Sequence, residues 1–125
     1  MTVAPVSIFD LASTQARWLS ARQAAVAGNI ANANTAGFVG RDVVPFEKLV
    51  GETRVAMAAT APGHHGGMAD VALRDTAQPK SLMPSGNTVV LEDELVKAGE
   101  VRRSMELNTA IVKAFHRMTI MSVRS

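Results

Sequence analysis

The chain has no cysteine, which excludes a disulfide framework, thiol catalysis and a cysteine-ligated zinc site. It has no tyrosine, and aromatic residues make up only 4% of it, so its core must come mainly from aliphatic side chains. No run of about eighteen apolar residues occurs, so no transmembrane helix is expected. One-sided charge is missing as well. Basic and acidic residues interleave, 13 against 11, and a net charge of +2 is too small to recruit a nucleic-acid partner. The opening Met1-Thr2-Val3-Ala4-Pro5 lacks the basic region and continuous apolar stretch of a secretory signal. If the protein leaves the cytoplasm, a route without a cleaved signal peptide is expected.

What is present is a 125-residue chain whose 47% apolar content leans heavily on alanine. Alanine lets helices approach closely but buries little area, so one domain with a thin core is the upper bound. From about residue 7 to residue 36 the apolar positions follow a helical period. Phe9, Ala12, Ala16, Leu19, Gln23, Val26, Ile30 and Ala33 alternate in steps of three and four, a heptad seam with Gln23 as its polar interruption. Ile8, Leu11, Trp18 and Ala25 widen that face, and Ser7 is the expected N-cap.

Residues 37–90 lose the period. Proline and glycine punctuate them, at Pro45, Gly51, Pro62, Gly63, Gly66, Gly67, Pro79, Pro84 and Gly86, which reads as a flexible, mostly irregular insert. Short strands or turns around Val43-Val44 and Leu73-Arg74 are the exceptions expected. From residue 91 to 125 the helical period returns. Leu91, Ala98, Val101, Met105, Val112 and Phe115 form its seam, with Leu95, Leu107, Ile111, Met118 and Met121 beside it and Asn108 as a polar interruption. Met105, Met118 and Met121 read as adaptable core filling. Each long helix is the other's best available partner. The pattern therefore predicts an all-α fold, an antiparallel, coiled-coil-like pair of N- and C-terminal helices (residues 1–36 and 91–125) around the insert. Two helices bury little, and these stripes are wider than one seam requires. The surplus points to assembly with further helices.

Candidate chemistry is sparse. His64-His65 with Asp70 and Asp75 matches no zinc spacing, and no phosphate loop or nucleophile motif exists. No enzyme activity, cofactor or small-molecule substrate is expected. The densest signal is Asn29-Ile30-Ala31-Asn32-Ala33-Asn34-Thr35-Ala36-Gly37-Phe38. Asparagine competes with the helix for backbone groups, so this block marks a helix exit, and Gly37 supplies the turn. Local capping and hydrogen bonding to a neighbouring subunit are both open readings of Asn29, Asn32 and Asn34, and equally of Gln23 and Asn108.

Arg22-Gln23, the asparagine block, Arg41-Asp42, and Ser85-Gly86-Asn87-Thr88-Val89 leading into the last helix together resemble the flagellar basal-body rod proteins. The resemblance covers the two terminal thirds of the chain. The asparagine block is common to rod and hook proteins, whereas the short length and Gly86-Asn87-Thr88-Val89 narrow the likeness to the proximal rod. Ala36 stands where the family often has proline, and Val90 where it often has an acidic residue. The resemblance implies a structural subunit of the periplasm-spanning, torque-transmitting rod. Its partners would be other rod and basal-body proteins, copies of itself, and the flagellar type III export apparatus. Its subunit contacts are expected at Gln23, Asn29, Ile30, Asn32, Asn34, Gly37, Phe38 and Asn108. Rival readings are another axial protein of this family, a helical-hairpin adaptor or export chaperone, and, least favoured, a His64/His65 metalloenzyme.

Overall fold

The computed structural model describes residues 5–51, 73–75 and 85–124, arranged as two long helices and a small two-stranded sheet. Helix α1 spans Pro5–Ala31 and 27 residues. Pro5 suits a first helical position, where its fixed φ and missing N–H cost nothing. Ser7, the expected cap, therefore lies within the first turn. The helix also stops sooner than residue 36. Asn32 is the cause: its side-chain amide donates to the Gly28 carbonyl at 2.9 Å, and its backbone N–H divides between Gly28 and Asn29. Ala33 then bonds back only three residues, to Ile30, and the helix ends in a tightened turn.

Helix α2 spans Leu91–Arg124, 34 residues, or about 50 Å of rise. Its first bond runs from the Glu94 N–H to the Val90 carbonyl. Valine offers no side-chain cap, but Glu92, Asp93 and Glu94 in the first turn and Arg124 in the last complement the helix dipole. The helices run antiparallel. Asn29 meets Glu94 at one end, and Phe9 packs edge-on against Phe115 at the other, ring centres 6.4 Å apart.

The seam between them is displaced from the expected one. On α1 it runs through Ala12, Gln15, Leu19, Arg22, Val26 and Asn29, at heptad steps, while Ala16 and Gln23 are exposed. On α2 the buried positions are Glu94, Val101 and Asn108, seven residues apart. Hydrophobicity alone favours Ala16, Gln23 and Ile30 over Gln15, Arg22 and Asn29. The fold takes the polar set because each member finds a partner across the seam. Met105 is half-buried here, but Met118 and Met121 are exposed, contrary to their reading as core filling, because they belong to a different face of α2.

Strand β1 (Arg41–Val43) lies on α1 and pairs antiparallel with β2 (Leu73–Asp75), with Asp42 opposite Arg74. Val43 is buried beneath it, and residues 46–51 are helical. Residues 37–40 and 85–88 close the fold at the α1 exit. Gly37 donates to Ser85, Thr88 donates to Phe38, and the Thr88 hydroxyl accepts from Gly40. Gly37 and Gly86 both hold positive φ, 73° and 75°.

Candidate functional site

The densest polar structure in the chain sits where α1 ends and α2 begins. Asn29 is 1% exposed and faces β1. Its Nδ2 donates to the Arg41 carbonyl at 2.7 Å, and its Oδ1 accepts the Arg41 N–H at 2.9 Å, so the side chain pairs with the strand as a peptide unit would. The same Nδ2 reaches Glu94 Oε2 at 3.1 Å. Glu94 is buried, and Lys97 donates to its other oxygen at 3.0 Å.

An ion-pair chain continues from there. Lys97 lies 4.0 Å from Asp42, Asp42 pairs with Arg22 at 3.3 Å, and Arg22 reaches Glu100 at 3.5 Å. Arg22 also lies over the Trp18 ring, 5.6 Å from its centre. Trp18 is anchored at both ends: its indole N–H donates to the Val44 carbonyl at 2.7 Å, and its ring meets Phe46 edge-on. α1, β1 and α2 are therefore locked by one network, whose charges are all matched by partners.

Asn87 works on the other side of the same corner. Its amide donates to the carbonyls of Asn32, Ala33 and Thr35, at 2.9, 3.0 and 2.7 Å, and its Oδ1 accepts the Val89 N–H. Of these carbonyls at the helix exit, Asn32 also accepts the Thr35 N–H and Thr35 the Phe38 N–H, and Asn87 ties all three to the 85–88 segment. No buried side-chain nitrogen or oxygen among the described residues lacks a partner.

The eight residues expected to make subunit contacts thus divide by position. Asn29 and Asn108 are buried; Asn108 donates to the Ala12 carbonyl and to Gln15. Asn32 is half-buried, capping α1 and accepting from the Thr35 hydroxyl. Ile30 and Phe38 are half-buried as well, whereas Gln23, Asn34 and Gly37 are exposed. Sequence reasoning passed over Gln15, Glu94 and the clamping role of Asn87. The one available signal was Asn87 itself, an asparagine in a Ser-Gly-Asn-Thr motif without a helix of its own to cap.

The arrangement holds elements together and offers little for chemistry. His64, His65 and Asp70 lie outside the described residues, while Asp75 pairs with Arg41 across β1 and β2. Among the described residues no group of three His, Asp or Glu side chains is placed to hold a metal ion, and no helix is long and apolar enough to cross a membrane.

Residues 13–38, from the third turn of α1 through the asparagine block, match the family described as "Flagella basal body rod protein". Over 127 aligned positions the chain is 46% identical to "Flagellar basal body rod protein FlgB" of Agrobacterium fabrum, with 96% of this chain and 95% of that protein covered. Identity at that level over nearly the whole length reaches both helices and the corner that joins them. The chain belongs to the flagellar basal body rod proteins, structural components of the bacterial flagellum.

Proposed function

We propose that the chain is a proximal-rod subunit that assembles through α1 and α2 with copies of itself and with other basal-body proteins, forming part of the periplasmic shaft that transmits torque. The near-full-length identity to a protein named FlgB carries this reading. The exposed apolar side chains support it, because Leu11, Leu95, Leu107, Ile111 and Met118 have no cover within the described chain and suit helix–helix contacts in an assembly. On this reading Gln23, Asn34, Gly37 and Phe38 contact neighbours directly. Asn29, Asn32 and Asn108 hold the helices in the geometry that presents those contacts, and Ile30 bridges the two groups. Export unprocessed through the flagellar type III apparatus belongs to the same proposal.

Deletion of the gene, followed by motility assay and microscopy of isolated basal bodies, tests it. Loss of the rod supports the reading, and intact rods overturn it. A tagged chain found in the cytoplasm and absent from purified basal bodies would instead favour an adaptor or export chaperone. Mass spectrometry of the rod-incorporated protein checks the export step, since a trimmed N-terminus excludes unprocessed export.

A further inference from the structure

Two groups of charge stand out among the described residues, beside exposed pairs such as Arg102 with Glu106 and Arg41 with Asp75. Those at the seam are matched: Arg22 with Asp42 and Glu100, Lys97 with Glu94. Those towards the two ends of α2 are unmatched. Glu92 and Asp93 at its start, and Lys113, Arg117 and Arg124 towards its finish, have no ion-pair partner among the described residues. The helix dipole explains the signs in the terminal turns, but it decays within one turn and does not reach Lys113 or Arg117.

Unburied apolar surface accompanies each charge group. Leu91, Leu95 and Val96 stand exposed among the acids. Leu107, Ile111, Met118 and Met121 stand exposed among the bases, with Leu107 and Met118 each 63% accessible. With Ala114 these last four recur in steps of four and three, so they share one stripe of the helix, apart from the seam that faces α1. The two patches are complementary in charge and alike in apolar character. From Asp93 to Lys113 they are separated by about 30 Å of straight helix, so they cannot meet within one chain.

We infer that the C-terminal half of α2 is a docking surface for the acidic first turns of α2 in a second copy of the chain, joined head to tail. The inference rests on the rod-subunit reading and gives it a polarity. Because the contact uses two different patches, each docking leaves one of each kind free, and the series stays open in the way an axial assembly requires. The apolar stripe supplies the adhesion, while the flanking charges choose which end of the neighbour is accepted.

Charge exchange on the full chain tests it. Wild-type protein is followed by sedimentation velocity across a concentration series, at about 0.05 M and about 0.5 M salt, where screening lengths differ roughly threefold. Concentration-dependent oligomers that weaken at high salt are expected. Lys113→Glu with Arg117→Glu reverses one patch, and Glu92→Lys with Asp93→Lys reverses the other. Each double variant alone should associate about tenfold more weakly, as the loss of two rim charge pairs implies. An equimolar mixture of the two should recover association, which misfolding would not produce; far-UV circular dichroism confirms helix content. A wild-type chain that stays monomeric at every concentration overturns the inference, as does association unaffected by either reversal. Binding of anionic phosphatidylglycerol vesicles through Lys113 and Arg117 without self-association overturns it too, in favour of a lipid surface. If gene deletion abolishes rods while charge exchange changes nothing, the head-to-tail contact fails and the rod reading stands.

Discussion

Asn29 in the last turns of α1 and Glu94 in the first turn of α2 share a hydrogen bond of 3.1 Å, across 65 residues of sequence. The bond places a carboxylate at the helix corner, where the Asn29 amide simultaneously holds the Arg41 backbone and Lys97 supplies the countercharge. One asparagine therefore decides whether three segments meet.

Asn29→Ala removes a donor from a buried carboxylate and strips both bonds from the Arg41 peptide. A loss of about 2 kcal/mol in urea unfolding is expected. Asn29→Asp conserves the shape but sets a second carboxylate against Glu94 and against the Arg41 carbonyl. It should be less stable than the alanine variant despite closer similarity to the native residue. Equal or greater stability of the aspartate variant would show that Glu94 is not held by this amide.

Asn87 closes the corner from the other side. Its replacement by alanine removes a donor from the carbonyls of Asn32, Ala33 and Thr35, and only those of Asn32 and Thr35 keep a backbone N–H. The expected cost is about 2 kcal/mol, with the effect concentrated locally. Hydrogen exchange should accelerate across residues 32–40, which lose their tie to the 85–88 segment, while the middle of α2 around Val101 keeps its protection. Uniform acceleration along both helices would assign Asn87 a global role instead.

Much of this design was legible in the chain, and the remainder failed for identifiable reasons. The two helices declare themselves through periodic Leu19, Val26, Val101 and Phe115, since apolar spacing survives any choice of partner. Of the seam, Ala12, Leu19, Val26 and Val101 were legible, but its polar half was not, because Gln15, Arg22 and Asn29 count as outward residues on any hydropathy scale. Only knowledge of Asn108, Asp42 and Glu94 opposite them reverses that assignment. The α1 terminus was misplaced by the continuing pattern of Ala33. The Asn32 side chain overrides that pattern by competing for the Gly28 carbonyl. The asparagine block pointed to the family, and Asn32 bonds locally to Gly28 and Thr35, but the Asn29 bond to Glu94 spans 65 residues, beyond the reach of local spacing.

Gly86 tests how far the second crossing of the corner depends on backbone conformation. A Cβ built there meets the Gly37 Cα at 3.6 Å, an ordinary contact, so space is not the obstacle. The positive φ of 75° is. Gly86→Ala should therefore cost about 1–2 kcal/mol, and Gly86→Asn less, because asparagine tolerates this region better. A β-branched Gly86→Val should be the worst of the three. Thermal unfolding of the series gives the ranking directly, and a flat series would mean that the turn relaxes to another conformation.

Buried and exposed positions on α2 should separate folding from assembly. Val101 is 2% exposed and packs on α1, so Val101→Ala is expected to cost about 2 kcal/mol of chain stability. Leu107 and Ile111 stand outside that seam. Leu107→Ser with Ile111→Ser should change the unfolding midpoint little, by roughly 0.5 kcal/mol or less per site. In cells the same double variant should be expressed and exported yet fail to build rods, because the surface it alters is the one offered to neighbours. Motility and the rod content of isolated basal bodies provide the readout. A double variant that swims normally would place the assembly surface elsewhere, while one that unfolds would show that these side chains serve the chain's own core.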